Sequence, residues 1–453
     1  MIVRTAEMKR LEELYKEDGN QLVLLYGRTN SDKEQLLRVF SQDKRSFYYH
    51  ARQASAQEQL LQMGHEVEHQ YDVKLQKYTF AEYFTRIRSG NATKLVVIID
   101  EFQYIVKKDD TFMESILKLK NKRLYPGPVM ILLCSSSIVW TEDDGLEKLQ
   151  PYEKKIDARV KLNDISFLDV VRCFPEYTTR ECVEVYGVLG GVPGYLSRWN
   201  GKKSLRENIC KNILNTNGFL FDEAENYLGG ELRELSLYNT ILAAIAAGNQ
   251  KLNDLYHATG FSRAKISVYM KNLMEFEVIE KVISFETGGW ENTKKGVYRI
   301  QNTYVNFWFR FIYPHLSDLY MLTPEEFYRR YMEEEMDEYM NRYFIQVCTE
   351  YLNLLNLVDK LPIQLHRIGT WVGKQGNIDI IAQNAVRESI VGLCNWSKPE
   401  LTMEDCRALE ANMKKARISA QYFYLFSATG FEEALKNAAE QDSRYVLIDM
   451  KEL

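Results

Sequence analysis

No apolar run in this chain approaches the length that spans a bilayer, and no signal-type apolar stretch opens it, so neither membrane insertion nor export is expected. Its seven cysteines, at 134, 173, 182, 210, 348, 394 and 406, are odd in number and never form a Cys-x-x-Cys pair. That scatter fits a reducing compartment without a zinc or disulfide framework, and the expected location is the cytoplasm. Excess positive charge is missing too. The net charge of −5 excludes a broadly basic nucleic-acid coat and leaves room only for a local basic face. There is no internal repeat and no low-complexity tract. What is present is an ordinary globular composition, 45% hydrophobic and 27% charged. At 453 residues the chain is too long for one core and suggests roughly two to four domains.

Strand-like apolar runs at 22–26, 46–50, 95–99 and 129–134 alternate with helical patterns at 7–16, 33–40 and 111–120, which predicts a parallel α/β sheet. From about 166 to 232 the strands stop; Phe167 to Phe174 and Arg180 to Leu189 have helical spacing and suggest a small helical lid. Residues 236–300 then read helix, helix, helix, hairpin. Leu252 to Thr259 is followed by a Gly260 turn, a helix from a Ser262 cap to Phe276, and strands at Val278 to Phe285 and Gly296 to Ile300 around a Gly288-Gly289 tip. That is a winged-helix pattern. An acidic stretch, Glu333-Glu334-Glu335 with Asp337 and Glu338, precedes a last segment that again mixes helices with strands.

Two strand ends carry chemistry. Lys94 to Tyr104 predicts a buried strand that delivers Asp100 and Glu101 to its carboxyl end. Leu22 to Tyr26 predicts another, followed by Gly27-Arg28-Thr29-Asn30-Ser31-Asp32-Lys33-Glu34, where a phosphate-binding loop would read Gly-x-x-x-x-Gly-Lys-Ser/Thr. The first glycine and the lysine are there; the second glycine and the hydroxyl are not. A glycine before the lysine lets backbone N–H groups turn into a phosphate-sized nest, and the hydroxyl binds the magnesium that bridges two phosphates. Asp32 puts a negative charge where polyphosphate would sit, and Glu34 replaces a short neutral ligand with a longer acidic one. A second reading of Asp32 is a helix cap, its carboxylate filling the anion position at the start of the helix. Weak or absent binding of ATP and magnesium is the expectation.

Over nearly its whole length the chain resembles the archaeal-type ATPase family of prokaryotic P-loop proteins, related to the signal-transducing (STAND-like, AAA-type) NTPases. The resemblance rests on Arg4 and Glu7, Tyr26-Gly27-Arg28, Ile99-Asp100-Glu101-Phe102-Gln103, Cys134-Ser135-Ser136-Ser137, Ile165-Ser166-Phe167 and Gly190-Gly191-Val192-Pro193-Gly194-Tyr195-Leu196. Further on come Phe307-Trp308-Phe309-Arg310-Phe311, Arg367-Ile368-Gly369-Thr370-Trp371 and Cys394-Asn395-Trp396. It implies a P-loop domain at 1–165, a helical lid at 166–235, a winged helix at 236–315, a linker at 316–335 and a restriction-endonuclease-like domain at 336–453. It also implies roles for matching residues. Gly27 and Lys33 would hold phosphates, Asp100 would order magnesium through water, and Glu101 would be the general base. Ser135 and Ser136 would sense the γ-phosphate, Pro193 would pack on adenine, and Arg159 is a candidate phosphate-contacting arginine. The alternative for the polar residues is a remnant kept for hydrogen bonding, and for Gly190, Gly191 and Pro193 a tight turn and helix cap.

Nucleases of the class that the C-terminal domain resembles need two or three carboxylates around a divalent metal, with a lysine to position water. The corresponding positions here are Ile345, Asp379, Leu393 and Asn395, so only Asp379 survives and nuclease activity is not expected. Glu350, five residues beyond Ile345, can be mistaken for the helical acid. Leu393, Trp371 and Trp396 read as packing. His65-Glu66-Val67-Glu68-His69 matches the zinc-protease pattern literally, but it lacks a third ligand and is polar, so no zinc is expected. The helix carrying Arg263, Lys265, Ser267, Tyr269, Lys271 and Asn272, with Lys294, Lys295 and Arg299 on the wing, offers a nucleic-acid surface. Residues 249–300 hold eight Lys/Arg against six Asp/Glu, a net of +2, so electrostatic support is modest. Three expectations result: a degraded P-loop regulator or scaffold contacting a protein partner, an atypical ATPase built on Lys33, Asp100 and Glu101, and a winged-helix DNA-binding protein.

Overall fold

The computed structural model describes residues 4–88, 93–121, 127–285, 296–373 and 376–453 and divides into two compact units. One holds the residues up to Asp164 together with Val192–Gly194; the other holds Ile165–Gly191 and Tyr195–Leu453.

The first unit runs α1 (Thr5–Lys16), β1 (Gln21–Gly27), α2 (Lys33–Ser41), β2 (Ser46–His50), α3 (Ala56–Tyr71), α4 (Phe80–Arg88), β3 (Leu95–Asp100), α5 (Gln103–Val106), α6 (Thr111–Lys120), β4 (Val129–Ser135), α7 (Leu146–Leu149) and β5 (Ala158–Leu162). The strands form one parallel sheet in the order β2-β3-β4-β1-β5. Every residue of β1, β3 and β4 is buried, which is why these strands are continuous apolar runs rather than alternating ones. Successive side chains still point to opposite faces. Leu22, Leu24, Val97, Ile99, Ile131 and Leu133 pack with Met63, Phe84 and Ile116 of the helices on one side, while Val23, Leu25, Val96, Ile98 and Leu132 pack with Leu11, Leu14, Leu36 and Phe40 on the other. The register brings the carboxyl ends together: Tyr26 pairs with Ser135, and His50 with Asp100.

The second unit begins with helices α8 (Phe167–Cys173), α9 (Thr179–Leu189), α10 (Pro193–Leu196, whose first two residues belong to the first unit), α11 (Leu205–Ile209) and α12 (Glu223–Glu231). Next come α13 (Leu235–Ala246), α14 (Leu252–Thr259) and α15 (Arg263–Glu275), then the antiparallel pair β6 (Ile279–Val282) and β7 (Val297–Ile300). Gly260 closes α14 at φ +69°, and the Ser262 side chain accepts from Lys265 N–H to open α15. Both strands are shorter than the sequence suggests, and Gly288, Gly289, Lys294 and Lys295 lie outside the described residues. Helices α16 (Thr303–Phe307), α17 (Leu316–Met321), α18 (Pro324–Tyr331) and α19 (Met336–Leu357) lead into a second sheet. Its strands β8 (Arg367–Val372), β9 (Asn377–Gln383), β10 (Ser389–Asn395), β11 (Tyr422–Ser427) and β12 (Tyr445–Asp449) lie in the order β12-β11-β10-β9-β8. β10, β11 and β12 are parallel, and β8 and β9 antiparallel. With α20 (Met403–Ala416) and α21 (Glu433–Gln441) the sheet encloses Trp371, Ile378, Ile381, Val391, Leu409, Leu425 and Leu435. The fold is thus α/β, a parallel P-loop-type sheet followed by helices and a separate mixed sheet. Among the described residues, no helix is long and apolar enough to cross a membrane.

Candidate functional site

The carboxyl ends of β1, β3 and β4 gather Lys33, Asp100, Glu101 and Ser136 in one buried cluster. Lys33 opens α2 and is 1% exposed; its Nζ donates both to Asp100 Oδ1 and to Glu101 Oε1. Asp100 Oδ1 also accepts from Glu101 N–H at 3.0 Å, while Asp100 Oδ2 lies 3.0 Å from the Tyr48 hydroxyl and 3.1 Å from His50 Nδ1. Glu101 stands at φ +53°, a conformation that turns its carboxylate toward the next strand end. There Oε1 accepts the Ser136 hydroxyl, and Oε2 accepts Ser136 N–H at 3.2 Å and Gln103 Nε2 at 2.6 Å.

Burial alone would raise both carboxyls and lower the lysine, but the opposite charges outweigh it. Asp100 and Glu101 titrate below the usual carboxylate range, and Lys33 above its own. Desolvation, with the Asp100 carboxylate beside it, pushes the Tyr48 hydroxyl up. The cluster carries two acids against one lysine.

The loop that leads to Lys33 is held from outside. Asn30 and Asp32 both stand in the left-handed region, at φ +62° and +61°. Between them the Ser31 carbonyl accepts Arg4 Nε at 2.6 Å, and Arg4 pairs with Glu7 at 2.7 Å. Asp32 occupies the position before α2 but makes no side-chain cap bond, which corrects the cap reading. Its left-handed backbone replaces the extended cap geometry. Desolvation pushes the Asp32 carboxyl up, opposed by Arg4 and reinforced by Glu34, which is exposed. On the far side of the loop Gly194 N–H donates to the Asn30 carbonyl at 2.8 Å.

Gly27 ends β1 opposite Leu162, and Pro193 opens the short helix that brings Gly194 to Asn30. Ser135 is buried and bonded to Ser137, not to the charged cluster. Arg159 is not brought to the cluster; it lies near the start of β5, where its guanidinium pairs with Glu153. The sequence reading missed Tyr48 and His50. Their only sequence signal is period-two spacing at the end of a strand, which acquires meaning once β2 lies beside β3.

In the second unit Asp379 belongs, among the described residues, to no group of three or more His, Cys, Asp or Glu placed to hold a metal. Its Oδ2 accepts Cys394 N–H at 2.9 Å, and burial pushes its carboxyl up to about 6. Asn395, where a nuclease of this class would place lysine, is spent on a turn: its Nδ2 donates to the Lys398 carbonyl at 3.2 Å and to Thr429 Oγ1 at 2.8 Å. Glu350 turns away, accepting Phe167 N–H at 2.9 Å and the Tyr186 hydroxyl at 2.6 Å. Trp371 and Trp396 are 5% and 1% exposed. On α15, Arg263 reaches Asn253 at 2.9 Å and Lys271 pairs with Glu275 at 3.0 Å, while Lys265 lies 4.7 Å from the Phe261 ring centre. His65 and His69 are exposed on α3, and among the described residues no group of three or more His, Cys, Asp or Glu is placed to hold a metal.

A parallel sheet in the order β2-β3-β4-β1-β5, with a lysine after the first strand and two acids after the third, defines a P-loop ATPase-type domain. Residues 2–199 match an ATPase domain found predominantly in Archaea, and residues 308–414 match a family of archaeal and bacterial proteins of unknown function. The chain thus combines an archaeal-type ATPase domain with a C-terminal segment of that second family. An uncharacterised protein of Methanocaldococcus jannaschii is 27% identical over 383 residues, 84% of each chain. The Walker-type ATPase PABY2304 of Pyrococcus abyssi aligns at 18% identity over 68% of this chain and 96% of its own, with a TM-score of 0.47. The Aeropyrum pernix ORC2 protein, solved as ADPNP-ADP complexes, aligns at 10% identity over 71% and 94%, with a TM-score of 0.45.

Proposed function

We propose that this chain is a regulatory or scaffold protein derived from an ATP-binding ancestor, in which the charged cluster acts as a closed structural staple rather than a catalytic centre. One observation carries this reading. Each carboxylate offers about four lone-pair sites, and Asp100 and Glu101 each meet four donors from the protein itself, counting Nδ1 of His50 as protonated. A general base needs a lone pair for water, and Glu101 has none left over. A magnesium-ordering Asp100 needs one as well.

The residues present do not fit ATP and magnesium. Lys33 is engaged by both acids, Asp32 and Glu34 add negative charge on either side of it in sequence, and the residue after Lys33 is Glu34 rather than one with a hydroxyl for the metal. Two unit charges about 4 Å apart repel by roughly 4 kcal/mol at an effective dielectric near 20, enough to erase useful affinity. Function then rests on the other parts: the helical lid, a winged helix formed by α13 to β7, and an inactive restriction-endonuclease-like domain from 336 onward as a platform for a protein partner, in the cytoplasm.

The atypical ATPase remains the second reading, because Lys33, Asp100 and Glu101 do stand together at the expected strand ends. Phosphate release distinguishes the two. The staple predicts wild-type turnover at background, unchanged in Glu101→Gln. Turnover clearly above background that Glu101→Gln abolishes establishes the ATPase instead. The third reading, duplex DNA binding by Arg263, Lys265 and Lys271, predicts a salt-dependent mobility shift lost in the triple alanine variant.

A further inference from the structure

The polypeptide crosses between the two units at Asp164/Ile165, at Gly191/Val192 and at Gly194/Tyr195. The first two crossings are laced together: Ile165 N–H donates to the Gly191 carbonyl at 2.7 Å, and a Cβ on Gly191 would fall 1.9 Å from the Ile165 carbonyl oxygen. Only glycine admits that approach. Two residues beyond Ile165, α8 begins at Phe167; just before Gly190, α9 ends, with Gly190 N–H bonded to the Tyr186 carbonyl at 2.8 Å.

One carboxylate holds both of these helix ends. Glu350 on α19 accepts Phe167 N–H through Oε2 at 2.9 Å and the Tyr186 hydroxyl through Oε1 at 2.6 Å, and Gln346, one turn earlier, donates to the Tyr186 oxygen at 3.0 Å. The same helix grips α9 further along. Tyr339 donates to the Gly187 carbonyl at 3.1 Å, and a Cβ on Gly187 would lie 2.4 Å from Met340 Sδ. At the start of α19, Asp337 accepts from Arg180 at 3.0 Å and from the Trp396 indole at 3.1 Å, with the Arg180 guanidinium 4.1 Å from the Trp396 ring centre. Across a side chain's width, α19 is therefore bolted to the neck that leads to Val192–Gly194, whose Gly194 N–H bonds the Asn30 carbonyl of the loop before Lys33.

We propose that α19 is a control lever: Glu350 sets the position of the neck, and through it the strain on the Gly194–Asn30 bond, so that whatever binds the C-terminal domain and shifts α19 is registered at the Lys33 loop. This does not rest on nucleotide binding. A half-buried hydrogen-bonded carboxylate joining the segments beside two chain crossings is a two-position element: with both bonds made the neck is fixed, and with both broken the crossings separate from α19.

Hydrogen exchange of the full-length chain tests it. Glu350→Ala should accelerate exchange in peptides covering 27–33 and 192–196 by about tenfold. Tyr186→Phe, which removes one of the two donors, should do so less, and Glu338→Ala, an exposed change on the same helix, not at all. If Glu350→Ala does not fold, Glu350→Gln, which retains one acceptor, takes its place. Acceleration confined to 165–191 and α19, with 27–33 and 192–196 exchanging as in the wild type, would overturn the lever and leave Glu350 as a local clamp.

Discussion

Ser136 donates to both oxygens of Glu101, its hydroxyl to Oε1 and its amide to Oε2 at 3.2 Å. The residue at the end of β4 thereby fixes the acid at the end of β3, and the lysine beneath them completes a cluster in which each charge is held by several bonds. Its behaviour under mutation and pH can be stated in advance.

Removing the lysine should be costly. Lys33→Met leaves two buried carboxylates without their cation, a change of about 3–5 kcal/mol for a buried pair. The urea midpoint should fall accordingly at pH 7, and Lys33→Met combined with Asp100→Asn should recover part of the loss. A single mutant that unfolds at the wild-type midpoint contradicts the cluster.

The pH dependence has a definite sign. Asp100 and Glu101 titrate lower in the folded chain than unfolded, so their stabilisation is present above the ordinary carboxylate range and is lost as pH falls through their lowered values. Lys33 is raised, so its share is complete below its ordinary value and is lost only on the alkaline side. Denaturant midpoints for wild type and Glu101→Gln should therefore differ at pH 7 and converge below about pH 4. A gap that stays constant with pH rules this out.

Asp379 has the opposite sign. Its folded value of about 6 lies above the ordinary 3.8, so keeping it charged works against folding. Asp379→Asn, which still offers an acceptor to Cys394 N–H, should stabilise by roughly 1–3 kcal/mol at pH 7.5. The gain should grow between about pH 4 and 6 and level off above. No gain at pH 7.5 over pH 4 would refute the buried-charge account.

The same isolation predicts no nuclease chemistry. One carboxylate cannot clamp both attacking and leaving oxygens around a metal, so DNA and RNA incubated with magnesium or manganese should remain intact with wild type and with Asp379→Ala alike. Metal-dependent cleavage by the wild type that Asp379→Ala loses would reverse the assignment.

How much of this was legible beforehand depended on locality. Strands β1, β3 and β4 were readable because burial on both faces leaves unbroken apolar runs, and Lys33, Asp100 and Glu101 because each follows such a run at a fixed spacing. The bonds of Tyr48 and His50 to Asp100 were not readable, since they exist only because β2 pairs with β3 across some fifty residues of chain. Glu350 escaped for the same reason: its partners Phe167 and Tyr186 lie more than 160 residues away. Asp32 looked like a helix cap by position alone; the pull of Arg4 on Ser31 and the left-handed turn at Asp32 were invisible in the one-dimensional pattern.

If the loop before Lys33 is what limits nucleotide binding, repairing it should show. Asp32→Gly suits a left-handed position, and Glu34→Thr restores a neutral hydroxyl for the metal. The double variant should bind ATP with magnesium at least tenfold more tightly than the wild type, a gain of about 1.4 kcal/mol. Equal affinities would place the obstacle elsewhere.

The most direct measurement is a calorimetric titration of the wild-type chain with ATP and magnesium. With both acids saturated by protein donors and Lys33 held between them, the Kd should be no tighter than roughly 100 μM, about −5.5 kcal/mol. Binding in the low micromolar range would show that phosphate opens the cluster readily, and would contradict the staple.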